Sequence, residues 1–227
     1  MARLMTPFVY GIATATALVC YLSLRSRNQT LALIVLVWFM LAILIDQIGV
    51  FPVTGSWVAG DLLRFVIFGA LITLPIIGFL VLPVLAPRAR RALSEVPLSG
   101  LAALQVYRLG GIAFLIAMED GVMPVILALS AGLLDTFVAL SSAVLALLLR
   151  HGKGRRMAIA WSFVGLTDFT VAILLVSASI FGLLTLSPAP SAIGQSPFVL
   201  ISLFQLPLAV IVHIEILRRL WQAQPGR

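Results

Sequence analysis

Seven apolar stretches alternate with short polar connections along the 227-residue chain. The stretches run over about 6–24, 31–51, 62–86, 98–118, 122–149, 157–184 and 197–220, and each matches the roughly 20 residues a helix needs to cross about 30 Å of hydrocarbon. The pattern predicts an all-α integral membrane protein, a bundle of seven transmembrane helices. None of the connections is long enough to fold alone, so residues 1–227 read as one membrane domain. The second connection, Phe51 to Trp57, supplies turn residues and an interface-seeking tryptophan, the fourth is the tight Glu119-Asp120-Gly121, and the sixth, Ser187 to Ser191, reads as a stiff exposed loop. Ser196-Pro197 is expected to open the last helix, with serine as N-cap and proline at the first helical position. Pro75, Pro83 and Pro207 fall inside spans, where a missing backbone donor favours a kink.

Charge then orients the bundle. Arg25 and Arg27 follow the first stretch, Arg88, Arg90 and Arg91 the third, Arg150, Lys153, Arg155 and Arg156 the fifth, and Arg218, Arg219 and Arg227 the seventh, so twelve of the fifteen Lys and Arg fall on one side. Short loops rich in these residues stay cytoplasmic. The amino terminus is therefore expected outside, with the carboxyl terminus and connections one, three and five in the cytoplasm. The first stretch has its basic residues after the apolar run and no small-residue cleavage site, which makes it a retained helix rather than a signal peptide.

Composition agrees: 62% hydrophobic and 10% charged residues carry more apolar surface than a water-soluble core of this size can bury. The mean hydropathy is +1.17. A net charge of +7 would suggest nucleic acid in a soluble protein, but basic loops facing anionic headgroups explain it here. Membrane lipids are the expected partners, nucleic acid is not, and the expected location is a bacterial cytoplasmic (inner) membrane. The only cysteine, Cys20, excludes an intrachain disulfide. Oligomeric state is left open.

Three charges cannot easily reach an interface, and each costs roughly 2.5–3.5 kcal/mol at a helix centre. They are Arg108, Asp135 and Asp168. At 1.5 Å per residue, Arg108 lies about 15 Å into the fourth span, Asp135 about 20 Å from the outside and Asp168 about 16 Å from the inside, so all three converge near the midplane. Asp135 and Asp168 sit in matching contexts, Gly132-Leu133-Leu134-Asp135 and Gly165-Leu166-Thr167-Asp168, each followed by Val-Ala at the same distance. A small residue three positions before each acid shares its face and lets a neighbouring helix approach. Gln105 and Arg108 share a face of the fourth span, which Gly111 continues. The guanidinium is expected to grip one aspartate, leaving the other to exchange a proton or bind a cation. Trp161, Gly165 and Asp168 follow one stripe, placing an aromatic wall beside the acid.

A second cluster, Asp46, Asp61, Arg64, Glu119 and Asp120 with Gln47, falls near the outer helix ends and reads as a solvated acidic rim, with Asp61 and Arg64 paired. Met118 and Met123 flank two of these acids, but without a nearby Cys or His no metal site is expected. Glu215 is expected to pair with Arg219, and Trp221 with the arginines to anchor the last helix at the interface. His213 is isolated in the sequence and compatible with proton relay; with His151 in a loop, no haem or zinc pair forms, and no cofactor is expected.

Helix count and direction resemble the rhodopsins and other seven-helix receptors, but the only lysine, Lys153, lies in a loop, so the retinal linkage of that family is absent. No protease, hydrolase or P-loop motif is present. Three readings follow. The midplane charges serve a small-molecule or ion transporter or a ligand sensor; or they fix packing in a structural or assembly subunit; or they perform acid/base work on a lipid or isoprenoid in a membrane enzyme.

Overall fold

The structure is a computed structural model that describes residues 2–49 and 62–222. The described residues are helical without strands, and seven helices among them are long and apolar enough to span a membrane. The protein is therefore an integral membrane protein. Large apolar side chains such as Ile34, Val37, Leu63, Leu140 and Leu174 point outward, where a soluble protein would expose polar groups.

Helices α1 (Ala2–Arg25) and α2 (Gln29–Ile48) form an antiparallel hairpin. Asn28 closes its turn: the side chain accepts from the Leu31 amide, while Gly49 ends α2 with φ +65°. Helix α3 (Leu62–Leu85) runs through Pro75 and Pro83 without interruption. The connection after it is not a bare loop but a short helix, α4 (Pro87–Ser94), which buries Ala89 and Ala92. The fourth span is made of three pieces: α5 (Leu98–Leu104), a 3₁₀ segment (Gln105–Gly111) and α6 (Ile112–Glu119). Helices α7 (Val125–Arg150) and α8 (Arg155–Ile180) follow as long, uninterrupted rods. Helix α8 stops short of the expected 184 because Gly182 takes φ +70° and turns the chain.

The last span is also composite, with α9 (Phe198–Leu200), a π-type turn (Ile201–Gln205) and α10 (Leu206–Gln222). It is the centre of the bundle, touching α1, α2, α3, α5 and α8. In its most apolar stretch 78% of residues are buried by protein, against 11% for α3, which lies at the periphery. The wide turn accommodates Pro207. That residue brings no N–H for the Leu203 carbonyl four positions back, and the indole of Trp38 donates to it instead at 2.9 Å.

Two expectations at the end opposite the arginines need correction. Ser196 does not cap the last helix, which begins at Phe198 with Pro197 preceding it; the hydroxyl instead donates to Asp46 Oδ2 at 2.8 Å. The sixth connection, Ser187 to Ser191, is not fully exposed, since Pro190 is buried where it opens a 3₁₀ turn that runs to Gly194. The second connection, with Trp57 and Asp61, lies outside the described residues.

Candidate functional site

Arg108 enters the core from the 3₁₀ segment and is 3% exposed. Its Nε donates to Asp135 Oδ1 on α7 and its Nη2 to Asp168 Oδ2 on α8. The expectation of one paired and one free acid is therefore corrected: both carboxylates hold the same guanidinium. A third group joins them, with Nη1 lying 3.1 Å from His213 Nε2 on α10. Arginine only donates, so Nε2 accepts and the imidazole carries its hydrogen on Nδ1. Three of the five guanidinium N–H groups are thus used by three different helices. The Phe169 ring completes the enclosure, its centroid 4.3 Å from Arg108 Cζ.

Glycines make this approach possible. A Cβ at Gly165 would stand 2.2 Å from His213 Nε2 and 2.9 Å from Arg108 Nη1, and one at Gly111 would stand 2.3 Å from Asp135 Cβ. Gly165 is the small residue preceding Asp168, and its counterpart Gly132 packs against Leu115 and the Gly111 carbonyl. The shared G-L-x-D pattern therefore reads as two notches, each beside the acid it precedes.

Around the charges lies a partly satisfied polar shell. Tyr107 donates to the Gln205 carbonyl at 2.8 Å, and Gln105 Nε2 lies 3.4 Å from the Ala209 carbonyl. The helix interruptions therefore direct backbone acceptors toward side-chain donors. A cavity of about 50 Å³ adjoins the cluster, lined among others by Tyr107, Arg108, Asp135, Asp168, Ser202 and Gln205. At roughly 10–15 Å³ of such volume per molecule it accommodates a few waters. Two atoms of its lining residues, the acceptor Asp168 Oδ1 and the donor Gln205 Nε2, are buried without a hydrogen-bond partner.

Trp161 does not wall off the acid as expected. Its ring packs on His213, 4.8 Å between centroids, and its Nε1 donates to Ser141 Oγ at 3.0 Å, so it buttresses the imidazole. His213, Phe169, Tyr107 and Gln205 are the site residues that sequence reasoning did not assign. Gln205, Ala209 and His213 recur at four-residue spacing, a stripe that would have pointed to them.

The acidic rim separates into unlike parts. Glu119 and Asp120 are exposed at the end of α6. Asp46 is 5% exposed and is no solvated rim group: Oδ2 accepts from Tyr10 and Ser196, while Oδ1 is buried without a partner. Gln47 donates to the Tyr10 hydroxyl and closes the chain. Arg64 is exposed in the first turn of α3, and Asp61 lies outside the described residues.

A much larger space lies elsewhere. A cleft of about 840 Å³ opens between α2 and α3, walled by apolar residues including Val35, Trp38, Phe79, Leu101, Leu208 and Val212. None of Arg108, Asp135, Asp168 and His213 lines it. At the arginine-rich end Glu215 is buried and bonded by Arg90, Arg218 and Arg219, so the expected Glu215–Arg219 pair is one arm of a larger cluster.

Residues 65–221 match the family described as a domain of unknown function, DUF8737. No curated protein and no solved structure matches the chain.

Proposed function

The chain belongs to the DUF8737 family, and we propose that its midplane cluster is the proton-exchanging centre of a transporter or ligand sensor. The observation that carries this reading is the charge count at a shared cavity. One guanidinium faces two carboxylates in hydrocarbon, and Asp168, whose Oδ1 has no hydrogen-bond partner, lines space for water. A purely structural pair needs one acid per arginine; the second makes a proton or small cation the natural third component. Interrupted helices at Gln105–Gly111 and Ile201–Gln205 support it, since such departures gather where backbone must bend around a site. The basic-loop bias favours an arginine-rich end on the cytoplasmic side, and a bacterial inner membrane is the location we propose.

A structural or assembly role is the second reading, favoured by how completely Arg108 is enclosed. The enzyme reading has less support, because the lipid-sized cleft and the acids occupy different parts of the bundle. Infrared difference spectra of the purified protein between acidic and alkaline buffer test the proposal. A carboxylic C=O band that titrates reversibly and disappears in Asp168→Asn or Asp135→Asn is the expected result. Vesicles holding the protein should also pass protons in a manner those variants abolish. Variants that fold, with unchanged spectra and flux, would leave the structural role in place.

A further inference from the structure

The arginine-rich end holds a hollow whose charge the midplane reading does not use. Arg90 and Arg91 of α4 face Arg218 and Arg219 of α10 across it, with Ser94 and Gln222 beside them, and it measures about 440 Å³. Three of these four guanidinium groups meet on one carboxylate. Glu215 takes Arg90 Nη1 at 2.7 Å, Arg218 Nη2 at 2.9 Å and Arg219 Nε at 2.6 Å. Every nitrogen of the Arg219 guanidinium has a partner, since its Nη groups also donate to the carbonyls of Val96 and Leu93, tying α4 and the turn after it to the last helix. The rest is not balanced. Arg90 Nη2 is buried without a partner, and the exposed guanidinium of Arg91 has none among the described residues. Gln222 Oε1 accepts from Arg218 Nη1.

We infer that this hollow binds a phosphate-bearing anion, either the headgroup of an anionic phospholipid or free phosphate. Guanidinium forks match phosphate oxygens with paired hydrogen bonds, and basic pockets at helix ends collect anionic headgroups at the interface. Glu215 keeps the arginines converged; its single charge leaves the cluster in excess by three. The site also gives α4 a task beyond linking spans, because a bound phosphate bridges α4 to α10 as the Arg219 contacts do.

The test uses the full chain purified in neutral detergent. Binding of phosphatidylglycerol and of phosphatidylcholine in mixed micelles is measured by native mass spectrometry, with sodium phosphate as competitor against sodium chloride at equal ionic strength. The double variant Arg91→Gln/Arg218→Gln removes two charges from the hollow. Arg91→Gln alone spares the Glu215 network should the double variant fail to fold. Arg150→Gln/Arg156→Gln removes two charges from outside it. Phosphatidylglycerol is expected to bind about tenfold better than phosphatidylcholine, with the preference lost in the double variant, reduced severalfold by Arg91→Gln and kept in the outside pair. Phosphate that fails to compete identifies the lipid as occupant; phosphate that binds while the lipid shows no preference identifies the free anion. Equal binding of both lipids with no effect of phosphate beyond chloride overturns the proposal. So does a preference that survives Arg91→Gln unchanged or falls as much in the outside pair.

Discussion

Replacing the two midplane acids separately and together tests whether they share one counter-ion. In Asp135→Asn or Asp168→Asn, Arg108 keeps one carboxylate and the amide keeps an oxygen to accept its N–H. A neutral amide acceptor replaces the anion while the guanidinium donor stays charged, so each single variant should lose about 1 kcal/mol. The double variant is different in kind. Arg108 is 3% exposed and its third partner is an imidazole nitrogen, so removing both acids leaves a buried cation without an anion and should cost about 3–5 kcal/mol. The excess over the summed singles, about 1–3 kcal/mol, is the coupling. Reversible unfolding of the four proteins in mixed micelles, followed by circular dichroism, measures it. Additivity within about 0.5 kcal/mol, or a single variant as costly as the double, would refute the sharing and remove the spare acid on which proton exchange rests.

Gly165→Ala should destabilise by about 1–3 kcal/mol, because its Cβ would stand 2.2 Å from His213 Nε2; Gly11→Ala, with nothing within 4 Å, should be neutral or slightly stabilising in the same unfolding assay. Trp38→Phe keeps an aromatic body against Phe204, now 4.9 Å between centroids, but removes the donor to Leu203, and a loss of about 1–3 kcal/mol is expected from the orphaned carbonyl. Lys153→Cys should react with a membrane-impermeant maleimide only in inverted vesicles; the native background is low since Cys20 is buried. Labelling of intact cells would reverse the orientation.

The bundle and its polar centre were legible for the same reason: lipid makes every charge expensive, so long apolar runs must span and the few charges within them must meet. Arg108, Asp135 and Asp168 were found by that rule alone, and the glycines before each acid marked where helices close in. The partners that needed three-dimensional closure were not legible. His213 looks like an isolated residue until α10 is seen to occupy the bundle centre, and Asp46 looks like a rim acid until Tyr10 and Ser196, far apart in sequence, cover it. The helix interruptions escaped for a local reason. Changing an α turn into a 3₁₀ or π turn costs little when side chains take up the displaced carbonyls, and Trp38 and Tyr107 do so from other parts of the chain.

Size narrows what the centre can do. Pockets for organic ligands typically hold about 300–1,000 Å³, whereas the space beside Arg108 is about 50 Å³. Enlarging it would require separating α7 and α8 from the 3₁₀ segment, yet contacts at Gly111, Gly132 and Gly165 leave no slack between those elements. A proton or water-sized ion fits such a site without repacking; an organic substrate does not. The larger spaces lie in the apolar cleft between α2 and α3 and in the arginine hollow, where none of the midplane acids reaches. Any ligand of lipid size is therefore held away from the midplane charges, and its influence there can travel through α5, whose Leu101 and Leu104 line the cleft and which leads into the 3₁₀ segment, or through α10. On that helix Leu208 and Val212 line the cleft, Arg218 lines the hollow, and His213 touches Arg108.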